Sequence, residues 1–245
     1  MKFLTALLAI GAAACLNSTS SAMLVFEDDF SYSDGNLVPN GGWSAHSGAG
    51  SNSVQVSGGA INLTHGGSSR EDVSVNLGIG NIVQGVLTYT FDLTVTDTAI
   101  SGTDFEYFAH FSDGGTSAFF GRLDVVAPSG SGDYGLGISH NSSTAEATTT
   151  SDFDFGSPIA VSVTYDFQDQ QASLTVGSET IQSSVGTAPD LLTHMAFRQS
   201  NSSSDETLTV DNLQVFYTVP EPSAFLFGGL VCTVMAVSTG RKRDR

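Results

Sequence analysis

In Val86-Leu-Thr-Tyr-Thr-Phe-Asp-Leu-Thr-Val95, the nine residues from Leu87 onward alternate apolar and polar side chains without a break. Side chains of an extended strand point to opposite faces in turn. Leu87, Tyr89, Phe91, Leu93 and Val95 therefore fall on one face, the core face, with Val86, Thr88 and Thr90 on the other. The same alternation runs through Ile159–Phe167 and Leu208–Phe216. Shorter candidates are Val54–Val56, Ala60–Thr64, Val73–Leu77, Phe105–Phe111, Ala118–Val126, Tyr134–Ser139, Gln171–Val176, Glu179–Gln182 and His194–Gln199. Gly41-Gly42, Gly58-Gly59, Gly66-Gly67, Asp113-Gly-Gly115 and Ser129-Gly-Ser-Gly132 punctuate these runs with residues suited to tight turns. No window outside the terminal segments carries a helical period. The pattern predicts an all-β body, a single antiparallel β-sandwich or jelly roll of about twelve strands. The Ser/Thr-rich stretch Asn141–Ser151 reads as a long loop inside it.

Both cysteines, Cys15 and Cys232, lie in the terminal hydrophobic segments. The 196 residues from Met23 to Thr218 thus hold no disulfide, no thiolate metal site and no cysteine nucleophile. They hold together by burial alone, and a body of that length removes about 70% of its chain surface from water on folding. It carries three cations, Arg70, Arg122 and Arg198, against 23 acids, a formal charge of −20. Affinity for polyphosphate comes from cations that displace counterions, so this charge argues against nucleic acid and anionic lipid surfaces as partners. It is compatible with neutral polysaccharide, divalent cations or a saline medium.

Lys2, the uncharged stretch Phe3–Ala14 and the small residues Ser20-Ser-Ala22 have the layout of a secretory signal peptide over residues 1–22. The mature chain then starts near Met23. Ala12-Ala-Ala-Cys15 has only the outline of a lipobox. At the other end, Val219-Pro-Glu-Pro222 precedes the 16-residue uncharged segment Ala224–Thr239 and the basic end Arg241-Lys-Arg-Asp-Arg245. As a transmembrane helix the segment would reach about 24 Å, short of the roughly 30 Å hydrocarbon core. Gly228-Gly229 and three valines weaken it further. Snorkelling by Arg241, Lys242 and Arg243 extends its reach and holds the tail in the cytoplasm. A brief span of this kind suits a segment that is recognised and removed. These three parts, in this order over residues 219–245, resemble the PEP-CTERM sorting tail of Gram-negative bacteria. The resemblance implies export, an exosortase-type membrane protease as partner, transient inner-membrane anchoring and delivery to the cell surface or the polysaccharide-rich extracellular matrix of a biofilm. A plain C-terminal anchor is the alternative. Either way the body lies outside the cytoplasm.

Within the body, Asp28-Asp-Phe-Ser-Tyr-Ser-Asp-Gly35 with Gly42-Trp43, then Phe120-Gly-Arg-Leu-Asp124, Tyr134-Gly-Leu-Gly-Ile138 and Val210-Asp-Asn-Leu213 follow in order. Together they resemble a concanavalin A-like, laminin-G-like jelly roll over residues 23–218. That resemblance implies two curved sheets with a concave face that binds sugar in many members. Lectins, glycosidases and structural modules share the fold, so it leaves function open.

Glycoside hydrolysis needs two carboxylates about 5–9 Å apart. The Glu-x-Asp-x-x-Glu strand motif of the glucanases in this superfamily is absent. The closest acid pairs are Asp152/Asp154, Asp166/Asp169 and Asp104/Glu106, the last expected on one strand face. The five histidines, His46, His65, His110, His140 and His194, have no i+2 or i+4 histidine partner for zinc. No catalytic residue is assigned, and a carbohydrate-active enzyme is the runner-up to a non-catalytic protein. Calcium is the candidate cation. If the first and last strands are neighbours, Glu27, Asp28 and Asp29 approach Asp211 and Asn212, a set of hard oxygen ligands. For sugar, Trp43 is the sole tryptophan, and Tyr107 and Tyr134 follow, with Arg122 as a polar clamp. Trp43 after two glycines also suits a plug at the end of the core.

Overall fold

The computed structural model describes residues 21–98, 100–115, 118–199 and 206–219. Residues 1–20 of the signal segment, the Pro220–Pro222 part of the sorting motif, the apolar segment 224–239 and the basic residues Arg241, Lys242 and Arg243 lie outside the described residues. Ala22–Val219 forms one compact unit. Its strands in chain order are β1 (Ala22–Asp28), β2 (Gly35–Asn36), β3 (Ser44–Ser47), β4 (Gln55–Ser57), β5 (Ala60–Thr64), β6 (Asp72–Asn76), β7 (Val86–Asp97) and β8 (Phe105–Ser112). They continue with β9 (Phe119–Val126), β10 (Gly135–Ser139), β11 (Ala147–Thr148), β12 (Ile159–Asp166), β13 (Gln171–Val176), β14 (Glu179–Gln182), β15 (His194–Phe197) and β16 (Thr207–Thr218). A single 3₁₀ turn, Asn40–Gly42, is the only helical element among the described residues.

All strand pairs are antiparallel and form two sheets. One runs β14-β13-β12-β7-β16-β5-β4-β2, and β1 also pairs with β16. The other runs β11-β10-β9-β8-β15-β6-β3. The architecture is an all-β sandwich of jelly-roll type, as the alternation predicts. The long central strand β7 buries Leu87, Tyr89, Phe91, Leu93 and Val95, the expected core face. Rings from the two sheets meet between the layers: Tyr89 lies 5.1 Å from Phe111, and Phe91 5.9 Å from Phe197. Burying each large apolar side chain contributes about 1.5–3 kcal/mol, so dozens of them suffice without a covalent cross-link. Tyr89 satisfies its hydroxyl by donating across the core to the Gly121 carbonyl at 3.0 Å.

Two features set what lies next to what. The long β16 changes partners along its length: β5 pairs with Thr207–Val210, and β1 takes up the same strand from Leu213 to Thr218. A register shift between Asp211 and Gln214, with Asn212 at φ 54°, marks the changeover. The stretch expected as a loop, Asn141–Ser151, instead returns along β10. β11 pairs with Gly137 and Ile138, and Thr149 N–H donates to the Leu136 carbonyl. Gly137 makes this close approach tolerable, because a Cβ there would sit 2.5 Å from the Cβ of Ala145. Ser/Thr-rich composition signalled solubility and missed this short edge strand.

Candidate functional site

In the seven-stranded sheet, Val73, Val75, Phe108, Phe111, Leu123, Val125, Leu136, Ile138, Met195 and Phe197 are buried in the core. Their alternates face the other way by the two-residue period of a strand. Tyr107 stands opposite Asp124 in the β8–β9 register, and Ala196 stands between Ser74 and His110. This outward face gathers Tyr107, His110, Arg122, Asp124 and Arg198, five polar or charged residues from adjoining strands.

Tyr107 is its centre. The Arg122 guanidinium carbon lies 4.5 Å from the Tyr107 ring centroid, and that of Arg198 lies 4.3 Å from it. Both distances fall within cation–π range, worth about 0.5–2 kcal/mol each. Arg198 also pairs with Glu106 and donates to the Tyr107 carbonyl at 3.2 Å. Arg122 packs a second ring, Phe119, at 5.4 Å, and donates from Nε to the Phe119 carbonyl at 3.4 Å. Phe119 contacts His110 at 4.3 Å and His46 at 5.5 Å. Two of the body's three cations thus converge on one aromatic ring.

Burial governs the charge state here. Asp124 is fully buried, and neither carboxylate oxygen has a hydrogen-bond partner among the described residues. That burial pushes its pKa well above the usual carboxylate value, against the pull of Arg122. His110 is buried with both ring nitrogens unpartnered and is held well below the imidazole range by desolvation. The positive charge on this face therefore comes from the arginines.

The structure brings together Tyr107 and Arg122 of the residues expected to touch sugar, and separates the other two. Trp43 is 2% exposed and packs against Phe30 and Phe197, and its Nε1 donates to Asp28 at 2.8 Å. It plugs the core and offers no ring face to a ligand. Tyr134 is likewise fully buried, stacked on Phe155 at 5.9 Å. Both guanidiniums lie over the Tyr107 ring, so Tyr107 packs the two arginines. Arg198, Phe119, His110 and Asp124 were not singled out from the sequence as members of this site. The signals were available: Asp124 stands two residues from Arg122, hence on the same strand face, and cations are so scarce that each arginine merited placement.

The expected calcium set is partly assembled. β1 and β16 are neighbours, and Glu27, Asp28, Asp29 and Asn212 line one recess of about 430 Å³ with Tyr32, Leu213 and Gln214. Asp28, however, accepts from Phe30 N–H, Tyr32 Oη–H and Trp43 Nε1–H at 2.8, 3.0 and 2.8 Å. Asp29 accepts from Ser31, and Asp211 accepts from the Asn212 N–H at 2.6 Å. Among the described residues no group of three or more His, Cys, Asp or Glu is arranged to hold a metal ion. Asp28 acts as an internal strut between β1, Tyr32 and Trp43.

The acid pairs resolve into turns. Asp152 accepts from Ser129 and Gly130 N–H groups at 2.7 and 2.5 Å, and Asp166 from Gln168 N–H at 2.7 Å. Asp104 precedes β8 and is exposed, whereas Glu106 is buried against Arg198, so the two do not share a strand face as expected.

No protein-family model matches the chain, and no curated protein matches it. Solved structures do match in fold. Peanut lectin is 16% identical with a TM-score of 0.52, covering 82% of this chain and 100% of that one. The Emp47p carbohydrate recognition domain is 16% identical with a TM-score of 0.50, covering 78% and 94%. Basic winged bean lectin is 11% identical with a TM-score of 0.50, covering 82% and 100%. These likenesses show the fold alone, a two-sheet jelly roll shared with those proteins.

Proposed function

We propose that this is an exported, non-catalytic protein of the cell surface or extracellular matrix that associates with polysaccharide through the outward face of its seven-stranded sheet. The observation that carries the reading is the pair of arginines packed on Tyr107. Stacked guanidiniums have lost most of their rotamer freedom and present fixed N–H forks, the kind of donor array that reads sugar oxygens. The lectins and the carbohydrate recognition domain among the fold neighbours support the same reading. Export, and sorting by an exosortase-type protease, rest on the sequence layout of residues 1–22 and 219–245.

Glycoside hydrolysis, the runner-up, fits less well. A general acid and its partner must both reach the glycosidic bond. Asp124 is 0% exposed, and Glu106 is 7% exposed and paired with Arg198, so neither carboxylate is presented to a substrate. A glycan array probed with the full chain, with and without calcium, tests the reading. Discrete positive glycans that disappear in Tyr107→Ala are expected. Silence of the wild type on every glycan would remove it.

A further inference from the structure

Arg122 stands out among the charges of this body. It is half-buried, held between Tyr107 and Phe119, and among the described residues its one side-chain hydrogen bond is the long Nε contact to Phe119. Among the described residues no carboxylate lies within 4.0 Å of its guanidinium. Arg70 likewise has no carboxylate within that distance among the described residues, so what distinguishes Arg122 is its seat between two aromatic rings. The acids beside it are placed otherwise: Asp124, two residues on, is buried, and Glu106 is engaged by Arg198. The Nη groups are thus desolvated on one side by aromatic rings and uncommitted on the other. A guanidinium in that setting gains most from a planar, bidentate anionic acceptor.

We infer that the Arg122 face selects acidic glycans, holding the carboxylate of a uronate residue on the Arg122 guanidinium. This deepens the polysaccharide reading and rests on it. The body's overall negative charge points toward neutral polysaccharide as partner, but charge acts over the Debye length whereas a bidentate pair acts at contact. At physiological ionic strength that length is about 8 Å, so distant acids are screened while the local fork is not. Arg122 and Arg198 stand on this face against Glu106 and Asp72, and of the two arginines Arg122 is the one with no carboxylate at contact distance among the described residues.

Affinity electrophoresis of the full chain through gels containing polygalacturonate or its fully methyl-esterified form isolates the carboxylate, since the backbones are the same. Retention by polygalacturonate and little by the ester is expected. Arg122→Gln should weaken retention roughly ten- to hundredfold, the loss of a charge-assisted hydrogen-bonded pair, and Arg122→Lys should restore only part of it. Arg70→Gln makes the same charge change at an arginine outside the Tyr107 stack and should leave retention intact. Melting curves of each variant separate loss of binding from loss of folding. Equal retention by acid and ester, both lost in Tyr107→Ala, would overturn the carboxylate inference and leave the polysaccharide reading standing. Absence of retention by either would overturn the inference, and the array result then decides the broader reading. An Arg122→Gln variant that is folded and retained as well as the wild type would overturn it too.

Discussion

At Asp28 one carboxylate accepts three hydrogen bonds and thereby ties β1 to the Trp43 plug and the turn between them. Asp28→Ala leaves Phe30 N–H, Tyr32 Oη–H and Trp43 Nε1–H without this acceptor, and the Phe30 and Trp43 groups are buried. A stability loss of about 2–4 kcal/mol is expected in urea unfolding, with glycan retention by the folded fraction unchanged. An unaltered midpoint would show that the strut is dispensable. Residue-scale chemistry was the least legible part of the sequence. Whether Trp43 meets solvent or Phe197 depends on a contact with a residue 154 positions away, which no local pattern reports. Tyr107 and Arg122 were found by residue type, whereas Arg198 joins them only because β15 pairs with β8.

Strand-scale order was far more legible, because alternation is a local property. Leu87 to Val95 and Leu208 to Phe216 announce their faces, while β2 and β11, two residues each, are too short for any period to register. β11 depends on Gly137, and Gly137→Val should drive Ala145 away from β10. Hydrogen exchange of the Glu146 and Thr149 amides, which bond to β10, is expected to speed up markedly, with smaller change in β7. Unchanged protection there would contradict the packing argument. Where β5 ends and β16 begins, His65 Nδ1 and Glu206 Oε2 stand 3.3 Å apart, both fully buried. Burial lowers His65 from 6.5 to about 3 and raises Glu206 from 4.5 to about 10, so both are neutral in the fold. The unfolded chain takes up a proton near 6.5 that folded His65 refuses, so this group costs stability as pH falls from about 6.5 toward 3. Folded Glu206 keeps a proton that the unfolded chain releases above 4.5, so its contribution declines as pH rises from 4.5 toward 10. Buried His110 and Asp124 act in the same two directions. The melting temperature should therefore fall on both sides of mildly acidic pH. Glu206→Gln, neutral at every pH, should flatten the alkaline arm. An alkaline arm equally steep in the variant would assign that decline to other groups.

On the scale of the whole molecule, a body of charge −20 carries two of its three arginines together on the proposed binding face. Proteins that bind polyanions through broad basic surfaces lose affinity as salt rises. Here the long-range term is repulsive and the contact term attractive, so the dependence inverts at low salt. Retention by polygalacturonate should strengthen as ionic strength rises from about 0.01 M to 0.15 M, where the Debye length shrinks from about 30 Å to 8 Å. A monotonic loss over that range would indicate that the global charge does not oppose binding. The sorting proposal is tested separately. In a host with an exosortase-type protease, replacing Pro220, Glu221 and Pro222 with alanine should hold the protein in the inner-membrane fraction instead of the surface fraction.

The central claim is that Arg122 and Arg198 on Tyr107 form the glycan contact, and arginine labelling reads it directly. The full chain is treated with a dicarbonyl reagent, with and without the glycan giving the strongest array signal, and each arginine is quantified by mass spectrometry. Protection of Arg122 and Arg198, with Arg70 labelled equally in both samples, is the predicted result. Protection at Arg70 with Arg122 still labelled would place the contact on another face and contradict the account.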